Sequence, residues 1–484
     1  RKACQIIIMQ KNYQKVLKEV LKQIKPKPEE KKKLVGLAKK ALILANKEAK
    51  KFKAKAILAG SLTRDTWLPS KMEFEVFILF PTAMPKEKLE DVGLKFGKQI
   101  IGKLGGKYRI EYAEHPYVCG SVGGIDIDIV PCFAVKSTQQ LKSAVDRTPF
   151  HVKYIEKKLP RRLSGEVRLL KQFLTANGIY GADAKTEGFS GYVCELLIIK
   201  YKKFLNVLKQ AAEWKPGEVI DTEKYYSQKD YPRLRKQFKD QALILIDPTD
   251  KTRNTAAAIS SYNFFKFKKL ANEFLQKPAR ELFFERKLDA LTESELIQLQ
   301  IKRRTELILI KFKPPDVVPD ILWPQLRRFA DRLQSILEET EYEFRVLGKD
   351  AYTNEKDLAV VLLEMEISKL PTVQKRIGPK IFDLDDSQRF LEKYKNALAG
   401  PFIENNFWVA EVTRKFLTAR EKLQDSLKEK EDVLKAKGIP NHIAAQLVKG
   451  FEIFSESNRI FELIKKDNNF GMFLRKYFEK ESLI

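Results

Sequence analysis

One segment restricts the fold more than any other: the nine residues 72–80, which run up to Pro81. Apart from two glutamates the segment is apolar and rich in β-branched and aromatic side chains, a composition typical of a strand in a sheet. A second strand-like run, residues 54–59, precedes it and ends at Gly60-Ser61. We expect the two strands to pair and to give the first domain a mixed α/β character.

Carboxylates recur at strand spacing. Glu73 and Glu75 are two residues apart on the predicted strand, so their side chains share one face of the sheet. A later predicted strand repeats the pattern with Asp126 and Asp128. If this strand lies beside the first, one of its two aspartates adds a third carboxylate to the cluster. We expect this residue to be Asp128. The negative charges of three such carboxylates repel one another unless a cation lies between them. Mg²⁺ is the natural cation, because it prefers oxygen ligands. The alternative is a merely solvated face of an edge strand.

The Gly60-Ser61 turn lies directly before this acidic strand. A turn of this kind offers backbone N–H groups and a hydroxyl to a triphosphate. Metal ions held by the carboxylates would lower the pKa of an attacking hydroxyl and neutralise a leaving pyrophosphate. The turn and the carboxylates together therefore predict phosphoryl transfer.

The charge of the chain bears on its partners. Lys and Arg outnumber Asp and Glu by 91 to 64, giving a formal net charge of +27. This excess favours a polyanion such as nucleic acid, but it is also compatible with a surface that only keeps a protein soluble or heat-stable. No run of about 18 apolar residues occurs, so we expect no membrane partner and a cytoplasmic location. The four cysteines have no metal-ligand spacing and are expected to be reduced.

The predicted elements divide the chain into four parts. The first is mixed α/β, the second is largely helical, the third combines helices with strands, and the fourth is helical. Their predicted bounds are 1–153, 154–276, 277–418 and 419–484. The predicted helices include 14–24, 86–104, 324–338 and 419–437, and the predicted strands include 108–113, 124–130, 306–312 and 358–367. The chain begins at Arg1 and not at Met, which leaves open whether residues precede it.

Further segments follow one another in a recognisable order between about residues 12 and 418. With the Gly60-Ser61 turn and the acidic strands, they resemble the archaeal-type, class I CCA-adding enzymes, which are tRNA nucleotidyltransferases. This ordered series is more specific than the Gly-Ser and carboxylate signature of the wider polymerase-β-like superfamily. The segments are Thr66-Trp-Leu-Pro69, Ala113-Glu-His-Pro-Tyr117, Asp126-Ile-Asp128, Ser143 to His151, Leu170-Lys171, Asn177-Gly-Ile-Tyr180, Gly188-Phe-Ser-Gly-Tyr192, Asp247-Pro248 with Arg253-Asn254, and Pro401-Phe-Ile-Glu-Asn405.

The resemblance implies both an architecture and an activity. The architecture is α+β and multidomain, with a polymerase-β-like nucleotidyltransferase head, a helical neck, an α+β body and a helical tail. The activity is template-independent addition of C, C and A to the 3′ end of tRNA from CTP and ATP, with Mg²⁺ as cofactor and pyrophosphate as product. The implied partners are tRNA, held at its acceptor arm and TΨC region, and the two nucleotides. A homodimer is a candidate assembly that the sequence itself does not determine.

The resemblance also implies roles for single residues. Glu73, Glu75 and Asp128 would hold Mg²⁺. Arg253 would help to select C and A by their Watson–Crick edges, a task suited to a rigid donor fork. The nucleotide contacts, mainly to phosphates and ribose, would come from Gly60, Ser61, Arg64, Thr148, His151, Lys171 and Tyr180.

Three of these nucleotide contacts have simpler alternatives. Lys171, on the polar face of a predicted helix, is otherwise a plain surface lysine. His151 is otherwise a histidine of the core or of a helix start. Tyr180 is otherwise a buried aromatic residue.

Glu75 departs from the pattern of the family. The family usually has Asp at this position, and the extra methylene of Glu displaces the carboxylate by on the order of 1 Å. We therefore expect a reduced rate or a different metal preference. Two alternative functions remain open: a tRNA-binding protein with a decayed catalytic centre, and another terminal RNA nucleotidyltransferase such as a poly(A) polymerase.

Overall fold

The structure, a computed structural model, describes residues 2–112, 115–339 and 343–479, without the side chains of residues 2–10 and Tyr112. It divides into two compact units, with the division between Lys287 and Leu288. Ala113, the predicted end of a strand, and Glu114 lie outside the described residues. The finer domain boundaries given above stay predictions.

Unit 1 begins with two helices, continues with strands around a further helix, and ends in a mostly helical part. Its helices and strands are α1 (Lys2–Ile24), α2 (Pro28–Ala49), β1 (Lys55–Ala59), β2 (Glu73–Phe80), α3 (Lys86–Lys103), β3 (Lys107–Tyr112), β4 (Pro116–Val122), β5 (Ile125–Phe133), α4 (Thr148–Lys158), α5 (Ser164–Ala176), α6 (Gly191–Tyr201), α7 (Phe204–Glu213), β6 (Glu218–Ile220), α8 (Tyr231–Gln237), β7 (Leu243–Asp247), β8 (Asp250–Asn254) and α9 (Ser261–Gln276).

The main sheet of unit 1 has the strand order β1-β2-β5-β4-β3. β1 and β2 pair, as predicted, and their orientation is antiparallel. β2 and β5 pair in parallel, which places Glu75 beside Asp128. On the opposite face of β2, Phe74, Val76 and Ile78 pack into a core shared with α2 and α3. Strand β4, which the sequence did not predict, lies between β5 and β3. The alternation along β2 thus places these three apolar side chains on one face and the carboxylates on the other.

The helical part of unit 1 surrounds an aromatic core. Phe173, Phe204, Phe274 and Phe283 are all fully buried there. The rings of Phe173 and Phe283 meet edge to face, with their centroids 5.3 Å apart, an arrangement that stabilises aromatic clusters. A short sheet, β6-β7-β8, lies in the same part of the chain. This core supports the helices that carry several of the predicted site residues.

Unit 2 combines helices with two sheets, as predicted for the third part of the chain. Its elements are α10 (Glu293–Arg303), β9 (Glu306–Phe312), α11 (Pro319–Leu337), β10 (Arg345–Thr353), β11 (Ala359–Ile367), β12 (Val373–Lys380), α12 (Leu384–Lys393), β13 (Ala399–Glu404), β14 (Phe407–Thr413), α13 (Ala419–Leu427), α14 (Glu431–Ala436), α15 (Asn441–Leu447), β15 (Phe451–Phe454), α16 (Ser457–Lys466) and α17 (Asn468–Phe478).

The larger sheet of unit 2 has the order β10-β11-β9-β15 and is covered on both faces. Helices α11, α13 and α15 contribute to the core on one face, and α10, α16 and α17 contribute to the core on the other. The smaller sheet has the order β12-β14-β13. The predicted strands 306–312 and 358–367 are both present and pair with each other.

Three predicted details of unit 2 are wrong. The helix predicted at 419–437 is two helices, α13 and α14, separated by Lys430 in an extended conformation. Strand β15 lies within the part predicted to be only helical and pairs with β9. Helix α11 begins at Pro319, so that Pro324 lies inside it. In all three segments, packing against the sheet overrides the secondary structure that the local sequence pattern predicts.

Two expectations about the chain as a whole can be compared with the structure. None of the helices described here combines the length and the hydrophobicity that a membrane crossing requires. Cys119, Cys132 and Cys194 are buried and free of disulfides. This agrees with the expectation of reduced cysteines for the three whose side chains are described.

Candidate active site

A cavity of about 380 Å³ opens in unit 1 where the acidic face of the main sheet meets the helical part. Most of the residues predicted from the sequence line it. Asp128 lies next to Glu75 on the neighbouring strand, and Arg253 is connected to the cavity through Asp247 and His151. The predicted residues in the lining are Gly60, Ser61, Arg64, Glu73, Glu75, Thr148, His151, Lys171 and Tyr180.

The Gly60-Ser61 turn packs directly on the carboxylate of Glu75. Gly60 has a φ of +77°, and a Cβ atom on it would lie 3.2 Å from Glu75 Oε1. Both the backbone conformation and the close approach favour glycine. The turn is closed by the Thr66 backbone N–H, which donates to the Ser61 carbonyl oxygen at 3.0 Å. Glycine at this position therefore brings the serine and the carboxylate to the same rim of the cavity.

The carboxylates carry negative charge that is only partly balanced. Burial, followed by the charges of Asp128 and Glu73, raises the pKa of Glu75 to about 7. Burial also raises the pKa of Asp128. Glu73 has a partner in Lys71, whose Nζ lies 3.0 Å from a Glu73 carboxylate oxygen. A cation at this place would relieve the repulsion, so the chemistry of these oxygen donors fits a hard metal ion.

The carboxylates are not yet arranged around one point as the ligands of a bound metal ion would be. Within residues 2–112, 115–339 and 343–479, no three His, Cys, Asp or Glu side chains are grouped as metal ligands would be. The alternative of a solvated edge strand is nevertheless wrong for β2, because this strand lies between β1 and β5. The register of β2 and β5 brings the carboxylates together, and their final positions would depend on the ion.

Lys171 is buried, and this overturns its interpretation as a surface lysine. Only 3% of the residue is exposed, and its Nζ donates to the hydroxyl of Thr66 at 3.4 Å. Burial lowers its pKa. One turn earlier on α5, Arg168 donates to the carbonyl oxygen of Trp67 and pairs with Asp65. The polar face of α5 is therefore packed against the loop that follows the Gly60-Ser61 turn, with its lysine at the cavity.

Glu195 is a lining residue that the sequence analysis did not identify. It is fully buried, and its Oε1 accepts hydrogen bonds from Arg64 Nε at 2.9 Å and from the Thr66 hydroxyl at 2.8 Å. It is the one charged residue in the otherwise apolar run 193–199 of α6. A carboxylate inside such a run needs a buried partner, which is the signal that could have revealed it.

The N-terminus of α6 also borders the cavity. Ser190 caps the helix by accepting a hydrogen bond from the Val193 backbone N–H at 3.1 Å. A Cβ atom on the next residue, Gly191, would make a tight contact, 3.1 Å from the Tyr180 hydroxyl and 3.5 Å from Lys171 Nζ. Free backbone N–H groups and the helix dipole make such a terminus attractive to anions. Tyr180 packs partly on the core and partly lines the cavity.

His151 and Arg253 share a buried partner, Asp247. Its Oδ2 accepts from His151 Nε2 at 2.9 Å and from an Arg253 terminal nitrogen at 3.0 Å. The ring of Tyr192 stacks on the His151 ring with a centroid distance of 4.0 Å. Burial acts to raise the pKa of Asp247, but the hydrogen bonds from His151 and Thr249 hold it well below its usual range. His151 thus lies in the first turn of α4, as its helix-start alternative has it, and its ring is paired with Asp247 and lines the cavity.

Comparison with known proteins places this site in a family. Three family profiles match: nucleotidyltransferase domain at 39–151, tRNA nucleotidyltransferase, second domain, at 165–284, and CCA-adding enzyme, C-terminal domain, at 303–456. A CCA-adding enzyme of Archaeoglobus fulgidus is 39% identical over 365 residues, 75% of this chain and 79% of that protein. One of Methanosarcina barkeri is 35% identical over 463 residues, 95% of this chain and 97% of that protein. The chain belongs to the CCA-adding enzyme family.

Membership in the CCA-adding enzyme family confirms the predicted resemblance and the predicted multidomain nucleotidyltransferase fold. It also makes the chain an enzyme that transfers nucleotides, of a kind that generally uses divalent metal ions. Among solved structures, a cytoplasmic RNA terminal U-transferase is similar over 57% of this chain and 100% of that chain, with a TM-score of 0.44 and 16% identity. A similarity this weak adds nothing further about function.

Proposed function

We propose that the cavity of unit 1 adds C, C and A to the 3′ end of tRNA, using CTP and ATP and releasing pyrophosphate. The observation that carries this proposal is the meeting, in one cavity, of the Gly60-Ser61 turn, the carboxylates of β2 and the buried Lys171. Oxygen ligands for a metal and donors for a triphosphate are the two requirements of nucleotidyl transfer. The relatives named above carry the name CCA-adding enzyme, which specifies the product.

Glu73, Glu75 and Asp128 are the proposed ligands of Mg²⁺. When bound, Mg²⁺ would activate the 3′ hydroxyl of the RNA and neutralise the departing pyrophosphate. The raised pKa of Glu75, to about 7, supports this assignment, because a carboxylate with poorly balanced charge is ready to accept a cation. Lys71, now paired with Glu73, would supply part of the positive charge.

The triphosphate is proposed to lie between the Gly60-Ser61 turn and the N-terminus of α6. Lys171 and Arg64 would neutralise its negative charge, and Tyr180 would donate its hydroxyl. Lys171 is suited to this role because it is buried and borders the cavity. Glu195 holds Arg64, so the guanidinium is positioned before the nucleotide arrives.

The sugar and the base are proposed to lie toward His151, Thr148 and Arg253. His151 and Thr148 line the same cavity. Arg253 would read the Watson–Crick edge of the incoming base together with the RNA, since a fixed guanidinium fork distinguishes donors from acceptors. In the reaction itself the 3′ oxygen of the RNA forms a bond to the α-phosphorus as the bond to pyrophosphate breaks.

The partners follow from the same proposal. tRNA would be held at its acceptor arm and TΨC region, with unit 2 contributing to the grip, and the excess of Lys and Arg suits this polyanion. A cytoplasmic location is part of the same proposal, because tRNA is the proposed substrate. The homodimer considered above stays a prediction.

The direct test is incorporation of labelled CTP and ATP, separately and together, into a tRNA transcript that lacks its last three nucleotides. With Mg²⁺ present we expect two C residues, one A residue and then a halt. A transcript that already ends in CCA serves as the matched control and should accept nothing. Open-ended addition of A would indicate a poly(A) polymerase instead.

Glu75 is the observation that favours a second candidate, a tRNA-binding protein with a decayed catalytic centre. Its side chain is one methylene longer than the Asp usual in the family. Tight, salt-sensitive binding of the tRNA transcript without any incorporation, in Mg²⁺ and in Mn²⁺, would support this candidate and contradict the catalytic proposal.

A further inference from the structure

A single buried carboxylate joins two proposed nucleotide contacts that are distant in sequence. Asp247, at the end of β7, is 96 residues from His151 on α4 and six residues from Arg253 on β8. It is fully buried and accepts hydrogen bonds from both side chains. Asp247 belongs to a segment that resembles the family, but the sequence pattern predicts no role for it.

The bonds of Asp247 decide which atoms the two side chains can offer to a ligand. His151 Nε2 is directed at the carboxylate, which leaves Nδ1 as the ring nitrogen for another partner. The stacked ring of Tyr192 limits rotation of the imidazole. Arg253 is held at one terminal nitrogen, while its side chain remains 37% exposed. One end of the guanidinium is therefore anchored, and the remaining N–H groups are available.

The anchoring is strong because the carboxylate has no access to water. A buried carboxylate that loses its donors is left uncompensated, so Asp247 disfavours conformations in which either side chain swings away. Thr249 supplies two further hydrogen bonds, from its backbone N–H at 2.9 Å and its hydroxyl at 2.8 Å. These local bonds fix the carboxylate itself, so that its position is set before either His151 or Arg253 meets it.

We infer that Asp247 is a positioning residue for nucleotide selection, which holds His151 and Arg253 in one fixed arrangement. This inference rests on the proposed function, because it needs those two residues to face the incoming nucleotide. The sugar-facing and the base-facing contacts are then coupled. A nucleotide whose base does not suit Arg253 cannot be accommodated by a shift of the arginine alone, since that shift breaks the bond to Asp247.

The test is Asp247→Asn, which keeps the shape of the side chain and removes its charge. The carboxylate uses one oxygen for His151 and Arg253 and the other for Thr249, whereas the amide has a single acceptor oxygen and cannot keep both sets of hydrogen bonds. With a tRNA transcript lacking CCA, we expect kcat/KM for CTP to fall roughly 10- to 100-fold. We also expect the preference for CTP over UTP to fall about tenfold, while KM for the transcript stays unchanged. A loss of discrimination is the readout that a merely structural role would not produce.

The matched control is Glu364→Gln in unit 2. Glu364 is also a buried carboxylate, and it accepts hydrogen bonds from Arg303, Thr305 and Tyr477. It does not line the cavity of unit 1. A comparable loss of thermal stability with unchanged preference for CTP over UTP is expected for this variant. Equal loss of discrimination in both variants would overturn the inference.

A second substitution, Asp247→Glu, keeps the inference testable if Asp247→Asn folds poorly, and a double variant tests whether Asp247 acts through Arg253. Asp247→Glu retains the charge but moves the carboxylate by one methylene, so discrimination should still fall. Adding Asp247→Asn to Arg253→Ala should reduce discrimination no further than Arg253→Ala alone, because neighbouring residues that act through one contact are not additive. Full discrimination in Asp247→Glu, or additive losses in the double variant, would show that Asp247 does not act through Arg253.

The outcome for the wild-type chain separates the two proposals. Correct addition of C, C and A by the wild type, with unaltered discrimination in Asp247→Asn, overturns the role of Asp247 and leaves the proposed function intact. A wild-type chain that adds no nucleotide overturns the proposed function and this inference with it.

Discussion

Replacing Glu75 with Gln should make the metal-free protein more stable at pH 8. The pKa of Glu75 is raised from 4.5 to about 7, first by burial and then by Asp128 and Glu73. A group whose pKa is raised in the folded state contributes stability that is fully present below its unfolded pKa and is lost as the pH rises through the folded value. The wild-type protein should therefore lose stability between about pH 4.5 and pH 7, and Glu75→Gln should not.

The size of this effect follows from the two pKa values. The difference between 4.5 and about 7 corresponds to about 3 kcal/mol. Because the Glu75 side chain borders an open cavity, we expect about 2 to 3 kcal/mol at pH 8. At pH 4 the carboxyl is protonated in both states, and the two proteins should have nearly the same free energy of unfolding.

The assay is urea unfolding in EDTA at pH 4 and pH 8, followed by far-ultraviolet circular dichroism. Hydrogen exchange of peptides from β2 and β5 would assign the change to the sheet that holds Glu75. Asp91→Asn, an exposed carboxylate on α3, is the control and should have little effect at either pH. Adding Mg²⁺ at pH 8 should stabilise the wild type more than Glu75→Gln. Parallel pH profiles for the two proteins, or equal stabilisation by Mg²⁺, would refute the reasoning.

Three further substitutions test the site. Glu75→Asp should speed CTP addition in Mg²⁺ or shift the preference between Mg²⁺ and Mn²⁺, because it removes a displacement of about 1 Å; steady-state rates no faster than the parent's in Mg²⁺, with unchanged preference, would contradict this. Lys171→Met should raise KM for CTP roughly tenfold or more without weakening binding of the tRNA transcript, and an unchanged KM would exclude a phosphate contact. Glu195→Gln leaves the Arg64 guanidinium without its charged partner, so it should lower the free energy of unfolding by about 3 kcal/mol and also lower activity. A variant as stable as the wild type would argue against the buried pair.

The sequence predicted the acidic part of the site better than its surroundings. Strand spacing alone placed Glu73 and Glu75 on one face, and the parallel register of β2 and β5 then brought Asp128 beside Glu75. Such predictions succeed because the side-chain period of a strand is fixed by its backbone. The roles assigned to these carboxylates stay predictions until they are tested.

The buried partners of the site were harder to predict. Glu195 and Asp247 contact residues far away in sequence, Arg64 and His151 respectively. The only sign of them in the local sequence is a carboxylate residue within an apolar run or at its end. For Lys171 the helical pattern correctly indicated a polar face, but it could not show that the loop after Gly60 covers that face.

The same limitation explains the missed strands. Strand β4 begins at a proline and contains a glycine, which weakened its pattern, yet the neighbouring strands β3 and β5 supply hydrogen bonds on both of its sides. In unit 2, α13 and α14 form no continuous helix because Leu434 and Ile439 pack separately into the core around α11. Long-range packing decided these elements, and single-sequence patterns do not record it.

The late position of β15 has a consequence for how the chain is made. Strand β9 pairs with β11 along one edge and with β15 along the other. In the second pair Ile310 lies opposite Ile453, about 140 residues later in the chain. During synthesis, the apolar β9 would present an open edge until β15 has also left the ribosome. Exposed edges of this kind are prone to mispairing with other chains, and contacts of such long range form slowly. Folding of the second unit is therefore expected to be completed only after β15 has left the ribosome.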